Sequence, residues 1–394
     1  MQIRSAETMI VEIPFPFPQS GTGIGFNAWR SLEFALVRLE DERGTVGWGE
    51  AFGYSTVEST KAMLDRLVIP RLMLAPVQDV AAWNLEVQRA LHLHGRYGVT
   101  LFAISGVDIA LWDLAARRAG VPVHELLPTR TDAGTGAGGD AGTGAGGEAG
   151  AGGDAGAPSG ARRSDFATYA SLMRYDEPPL VAQACEAALA RGYTAVKMHE
   201  RILDSIEAGR RAVGPDVPLA TDVNCGYDLD WLESERARIE SVGLAWLEEP
   251  IFPPEDFATL HALRSPALRI AAGENWCTSV QFAAAAHADA VDMMQPSVTK
   301  VGGISEFLRV CEVAAAAGVP VVPHCPYYGP GFHATLHAAA TRANVDNIEM
   351  LWVEPEAWLV DPEPLRDGDR VRVPEGPGLG WEPDPDVLAR YRRA

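Results

Sequence analysis

What this 394-residue chain lacks narrows its class before any motif is read. Its five cysteines, Cys185, Cys225, Cys277, Cys311 and Cys325, contain no CxxC pair, so neither a disulfide framework nor a zinc site is expected, and burial as small apolar residues accounts for them. Basic residues are in deficit, 33 Lys and Arg against 53 Asp and Glu. The resulting net charge of −20 argues against nucleic-acid and anionic-membrane partners, which need a basic surface. No unbroken run of eighteen apolar residues occurs. The opening MQIRSAETMIVEIPFPFP has no basic region followed by a long apolar core, so a cytoplasmic location is expected. Residues 132 to 161 are nearly devoid of apolar side chains larger than alanine, and DAGTGAGG occurs there twice in succession. Such a stretch cannot offset its ordering entropy and reads as a flexible linker; a phosphate-binding loop would need a strand before it and a helix after it.

What is present is a long-range period. Three apolar runs, LATDVN, LAWLEEP and RIAAGENW, each end in an acid, and Asp222, Glu248 and Glu274 fall 26 residues apart. The same spacing continues upstream to Lys197 and His199 in TAVKMHE. Downstream it reaches Ser297, His324 and Glu349, with helical patterns such as WLESERARIESV and SEFLRVCEVAAAAG between the runs. Strand and helix alternating at this spacing predict a parallel (β/α) barrel, whose strand ends converge on one face. A leucine-rich solenoid would need a ladder of leucine and asparagine that is missing.

Ahead of the barrel, Arg4 to Pro14, Leu32 to Glu40 and VGWGEA read as strands. Ser55 to Ala116 reads as mostly helical, with GVDIALWDLAARRAG strongly so. The expected division is an α+β domain over residues 1–125, an insert over 126–163, a barrel over 164–355 and a C-terminal segment over 356–394 that packs back on the first domain.

The strand ends suggest a chemistry. Three carboxylates in one mouth repel one another unless a divalent cation joins them, and hard oxygen ligands suit Mg²⁺. Asn224 and Asn275 are placed as neighbouring hydrogen-bond donors. Lys197 and His199, two apart on one strand, point the same way, and His324 arrives from near the opposite side of the ring. A cation flanked by such groups suits removal of a proton next to a carboxylate, with Lys197 and the metal steadying the enediolate while a histidine takes the proton.

These residues resemble the enolase superfamily, in its mandelate racemase/muconate lactonizing enzyme family and closest to the mandelate racemase-like branch. GWGEA, GVDIALWDLAARRAGVPVHELL, AVKMH, TDVN, WLEEP, GENW, QPSVTKVGG and PHC stand in the family's order over nearly all of the chain outside the insert. The resemblance implies a modified (β/α)7β barrel of TIM type under an α+β capping domain, with Mg²⁺ on Asp222, Glu248 and Glu274. It implies Lys197 as the enolate-stabilising lysine, His324 as a base or acid, and Glu349 as a hydrogen-bonding group in the catalytic set. It also implies a specificity lid around Phe15 to Trp29, from which Phe26 and Trp29 would touch substrate, and a homo-oligomer, dimer or octamer.

Two positions depart from the branch pattern. The lysine-x-lysine pair is Lys197-Met198-His199 here, and Ser297, itself placed among the substrate contacts, stands where an aspartate usually partners the seventh-strand histidine. Lys300 does not match the catalytic lysine of the muconate lactonizing branch and reads as structural. The expectation is therefore a lyase acting on a sugar acid, with a racemase, epimerase or cycloisomerase as the alternative. The lost aspartate also motivates a catalytically silent metal-binding protein. A scaffold built on the glycine-rich segment is the weakest reading.

Overall fold

The computed structural model describes residues 1–16, 29–129 and 162–393. Strands β1 (Ile3–Pro14), β2 (Ser31–Asp41) and β3 (Val46–Ala51) form an antiparallel sheet with β2 at its centre. The 21-residue helix Val99–Ala119 lies against β3. The glycines of GWGEA explain how closely: a Cβ on Gly49 would sit 2.0 Å from the Gly106 carbonyl oxygen, and one on Gly47 would sit 2.5 Å from that of Ala110. Only a residue without a side chain lets helix and strand meet at that separation. This helix is long and apolar enough to cross a membrane, yet 78% of its apolar window is buried inside the protein.

The second unit is the barrel. Strands β4 (Asp165–Ser171), β5 (Val196–Met198), β6 (Leu219–Asp222), β7 (Leu247–Glu248), β8 (Ile270–Ala272) and β9 (Met293–Met294) pair in parallel one after another. Strand β10 (Ile348–Leu351) pairs in parallel with β4 and closes the ring. The seventh position is irregular: Val321 forms single bridges to Met294 and Val345. Among the described residues seven helices, from Pro178–Ala190 to Pro330–Ala339, follow the first seven positions, apart from the short turn Val298–Val301. After β10, among the described residues, a hairpin of β11 (Arg366–Asp367) and β12 (Arg370–Arg372) pairs antiparallel with the first residues of β4, ahead of the terminal helix Pro385–Tyr391. The fold is the expected (β/α)7β barrel with an α+β cap.

Side chains alternate between barrel interior and helix layer along each strand. Ala220 therefore shares a face with Asp222, and Trp246 with Glu248. Tyr169, Ala220, Trp246, Ala271 and Met293 form one buried cluster that fills the interior beneath the acids. Leu219, Leu247, Ile270 and Met294 belong to the larger core against the helices.

Cap and barrel are joined by buried polar bonds. The Glu50 carboxylate accepts from the Gly331 N–H at 2.9 Å, Asn84 Nδ2 donates to the Gly302 carbonyl at 2.7 Å, and Asp108 accepts from the Ser305 N–H at 3.0 Å. Burial pushes the Glu50 carboxyl up to about 8. The C-terminal segment serves both units, because beyond its hairpin on β4 the Arg393 N–H donates to the Ile10 carbonyl and its guanidinium reaches Glu12 and Glu33 of the cap sheet.

Candidate active site

The acids stand where the barrel geometry demands. Asp222 and Glu248 are the last residues of β6 and β7, Glu274 follows β8 by two residues, and ligand oxygens of all three lie within 4.8 Å of one another. The chain turns sharply just beyond. Asn224 and Glu249 hold left-handed φ angles of 46° and 40°, costly for residues with a side chain and frequent at functional sites.

Whether a divalent cation fits can be judged from the donors. Asp222 Oδ2 is buried and has no hydrogen-bond partner, while Oδ1 accepts from the Asn224 N–H at 2.7 Å. Glu248 is held from behind: Oε1 accepts from Lys197 Nζ at 2.7 Å, and Oε2 from Trp246 Nε1 at 2.9 Å and Gln295 Nε2 at 2.7 Å. Burial, and then the Glu248 charge, raise the Asp222 carboxyl well above the ordinary range. Burial also works against the Glu274 carboxylate, but His324 and Lys300 outweigh it and hold that group well below the usual value. An orphaned, buried carboxylate oxygen among three clustered acids fits a hard divalent cation.

Lys197, fully buried on β5, is locked between Glu248 at 2.7 Å and Glu349 at 2.9 Å, with Asp222 at 3.9 Å. Desolvation disfavours its charge, but Glu248 and Glu349 prevail and raise it well above the ordinary lysine value. Glu349 on β10 also accepts from Ser171 Oγ at 2.7 Å and from the Cys325 N–H at 2.9 Å.

The two histidines differ in their bonding. His199 Nδ1 is 2.5 Å from the Leu172 carbonyl oxygen. A carbonyl only accepts, so that nitrogen carries the hydrogen and Nε2, 3.5 Å from Asp222 Oδ2, is left with the lone pair. Burial first, and then the Lys197 charge, lower the imidazole to about 3, so it is neutral at pH 7. His324 Nε2 sits 2.7 Å from Glu274 Oε2, and its Nδ1 is buried without a partner. Ser297 Oγ lies 3.4 Å from both Thr299 Oγ1 and the Tyr327 hydroxyl, and among the described residues it makes no hydrogen bond to the imidazole.

A cavity of about 370 Å³ opens between cap and barrel, within the range of small-molecule sites. It is lined from the barrel by His199, Asp222, Asn224, Glu274 and His324, and from the cap by Trp29, Phe52 and Tyr54. Of the residues expected at the site, Lys197, Glu248 and Glu349 lie behind this wall rather than in it. Asn275 also lies outside the lining, bridging Glu249 at 2.8 Å and Glu274 at 3.1 Å. Ser297 is buried, 1% exposed, and likewise absent from the lining. Phe26 and the segment 132–161 fall outside the described residues.

Sequence reading assigns no role at the site to three contributors. Lys300 lines the cavity, although it reads as structural from its position in TKVGG. Arg174, buried just past β4, donates from Nε to the His199 carbonyl at 2.7 Å and from Nη2 to Asn224 Oδ1 at 3.0 Å, tying three strand ends together. Gln295 supports Glu248; its place in QPS, two residues before Ser297, was the available signal.

Comparison with known proteins bears on the family and the fold. Residues 6–128 match the model of the mandelate racemase / muconate lactonizing enzyme N-terminal domain, and residues 180–387 match the enolase C-terminal domain-like model. The chain is 28% identical to D-galactarolactone cycloisomerase of Agrobacterium fabrum, covering 100% of this chain and 99% of that one. It is 29% identical to L-rhamnonate dehydratase of Saccharopolyspora erythraea, over 94% of this chain and 87% of that one. A crystal structure of a racemase from Streptomyces coelicolor with bound magnesium has the same fold, with a TM-score of 0.76 at 24% identity, covering 99% of this chain and 100% of that one.

Proposed function

The chain belongs to the mandelate racemase/muconate lactonizing enzyme family of the enolase superfamily, and from that premise we propose that it removes the proton alpha to the carboxylate of a sugar acid and then eliminates the beta oxygen. The observation that carries this reading is the placement of two imidazoles, His199 and His324, in the wall of one cavity, each against a different member of an acidic triad.

Asp222, Glu248 and Glu274 would hold Mg²⁺, which when bound neutralises the substrate carboxylate and the negative charge that develops on it. The chain's own residues do the rest. Lys197, kept protonated by Glu248 and Glu349, supplies a fixed positive charge toward the enediolate oxygens. His199 presents an unprotonated Nε2 and is the candidate base for the alpha proton. His324 Nε2, hydrogen-bonded to Glu274, is the candidate to deliver a proton to the departing oxygen on the other side. Arg174 holds the His199 backbone and the Asn224 amide in register.

A cycloisomerase reading is favoured by one observation. His324 has no carboxylate at Nδ1, so it is a poorly supported acid, and opening a lactone expels a carboxylate that needs far less protonation than a departing hydroxide. The relatives include sugar-acid dehydratases and a sugar-lactone cycloisomerase, which brackets the same two outcomes.

The test is solvent exchange. Incubation with Mg²⁺ and a panel of sugar acids and lactones in deuterium oxide should place deuterium alpha to the carboxylate of a substrate. A 2-keto acid from an open-chain acid marks dehydration, and turnover confined to lactones marks cycloisomerisation. No exchange and no product across the panel would sink the reading.

A further inference from the structure

Resting on that reading, we propose that Lys300 binds a second carboxylate at the far end of the substrate, so that the enzyme prefers sugar diacids to the matching mono-acids. Lys300 lies on the short turn Val298–Val301 after β9 and is 7% exposed. Among the described residues its ammonium donates one hydrogen bond, to Asn275 Oδ1 at 3.0 Å, and it sits 4.8 Å from the centre of the Phe52 ring. An ammonium carries three donors, and an amide oxygen and an aromatic face leave two of them unused; Glu274 and Glu249 feel its charge without touching it.

The contrast with Lys197 is direct. Lys197 is consumed by Glu248 and Glu349 at 2.7 and 2.9 Å, whereas among the described residues no carboxylate oxygen comes within 4.0 Å of the Lys300 nitrogen. A buried cation without an ion-pair partner is expensive unless a ligand supplies one. Lys300 lines the same cavity as His199, Asp222 and His324, beside Phe52 of the cap, whereas Lys197 is not part of that lining. With the reacting carboxylate at the triad and Lys197, the position left for Lys300 is the substrate's other end. A second carboxylate suits it in charge, and a primary alcohol there does not.

The experiment compares matched six-carbon pairs, galactarate with galactonate and glucarate with gluconate, using the full chain with Mg²⁺. For at least one pair the native enzyme should favour the diacid in kcat/KM. Lys300→Met should shrink that preference roughly 10- to 100-fold, the worth of a hydrogen bond to a charged group, mainly through KM. Lys300→Arg should retain most of it, which a purely structural role would not predict. If the Met variant melts markedly lower than the native protein, Lys300→Gln takes its place. Calorimetric binding of the same pairs gives the same ratio without turnover and so separates the two claims. Absence of alpha exchange sinks the proton-abstraction reading alone. A diacid preference unchanged in both neutral variants, a native preference for mono-acids, or no binding of any diacid overturns the role of Lys300.

Discussion

His324 Nε2 and Glu274 Oε2 are 2.7 Å apart, while the other ring nitrogen of His324 is buried with no partner at all. One imidazole is thus committed at Nε2 and, among the described residues, unsupported at Nδ1. Ser297→Asp should place a carboxylate behind the ring, fix Nδ1–H as a donor and stabilise the imidazolium. The limb of the pH–rate profile that reports this histidine should move to higher pH, and dehydration of open-chain acids should gain relative to lactone opening. An unmoved profile in a well-folded variant would show that position 297 does not govern His324.

Asp222 offers the cleanest test of the metal. Its Oδ2 has no hydrogen bond to lose and its Oδ1 can go on accepting from the Asn224 N–H. Asp222→Asn should therefore fold normally. Its Mg²⁺ affinity, read by calorimetry, should fall by more than the roughly 10- to 100-fold that loss of an outer partner costs, and turnover should go with it. Unchanged Mg²⁺ binding would remove Asp222 from the ligand set.

Much of this site could be read from the chain because one βα unit consumes a nearly constant number of residues, so strand ends recur at a period that composition cannot hide. Asp222, Glu248 and Glu274 came out of that regularity, and the structure brings them within 4.8 Å. What stayed hidden was set by three-dimensional approach. Lys300 lies past the strand end, and only its direction into the cavity separates it from an ordinary surface lysine. Arg174 follows β4, whose end carries no charged residue in the periodic series, so nothing pointed to it. The position of Ser297 after β9 suggests a place at the site, yet the residue is buried and outside the cavity lining, a burial that periodicity does not reveal. The glycines of GWGEA were visible as a motif, but their reason is the helix lying against them.

That reason yields a stability test. Gly49→Ala puts a methyl group 2.0 Å from the Gly106 carbonyl oxygen, where only backbone movement can relieve the overlap. Overpacking usually costs about 1–3 kcal/mol, so a drop of several degrees in Tm is expected. Gly44→Ala is the informative contrast. Nothing lies within 4 Å of its added methyl, and its φ of 79° makes it a test of backbone strain alone. Equal losses would mean that the helix contact is not what Gly49 protects.

Buried histidines away from the site make acid sensitivity predictable. His333 is fully buried, its Nδ1 bonded to the Leu379 carbonyl at 2.8 Å, and burial lowers its imidazole to about 4 from the ordinary 6.5. Between those values the unfolded chain binds a proton that the folded chain refuses, so stability is full above about 6.5 and is lost as the pH falls toward 4. The contribution is on the order of 3 kcal/mol at about 1.4 kcal/mol per unit. Asp108, raised by burial to about 7, has the opposite sign: its folded form holds a proton that the unfolded chain has released, and stability falls as the pH rises from about 4 to 7. The measurement must therefore be a difference. His333→Asn keeps a donor for Leu379 and removes the titration, so the gap in unfolding free energy between native protein and variant should narrow as the pH drops from 7 to 4.5. A gap that stays constant across that range would mean that His333 does not titrate as its burial requires.

His199 and His324 should fail differently when replaced. His199→Asn removes the unprotonated Nε2 held in place by Leu172. It should cost about 10²- to 10⁴-fold in turnover, the usual worth of one general base, and should abolish alpha exchange in deuterium oxide to the same degree. His324→Asn leaves that base and the Lys197 ion pairs untouched, so exchange should continue while product formation falls. For a lactone substrate the fall should be smaller than for an open-chain acid, since a departing carboxylate asks less of an acid than a departing hydroxide. The reverse pattern, exchange lost with His324 and kept without His199, would exchange the two roles. Loss of exchange in both variants would point to proton traffic on both faces of the enediolate, as an epimerase requires.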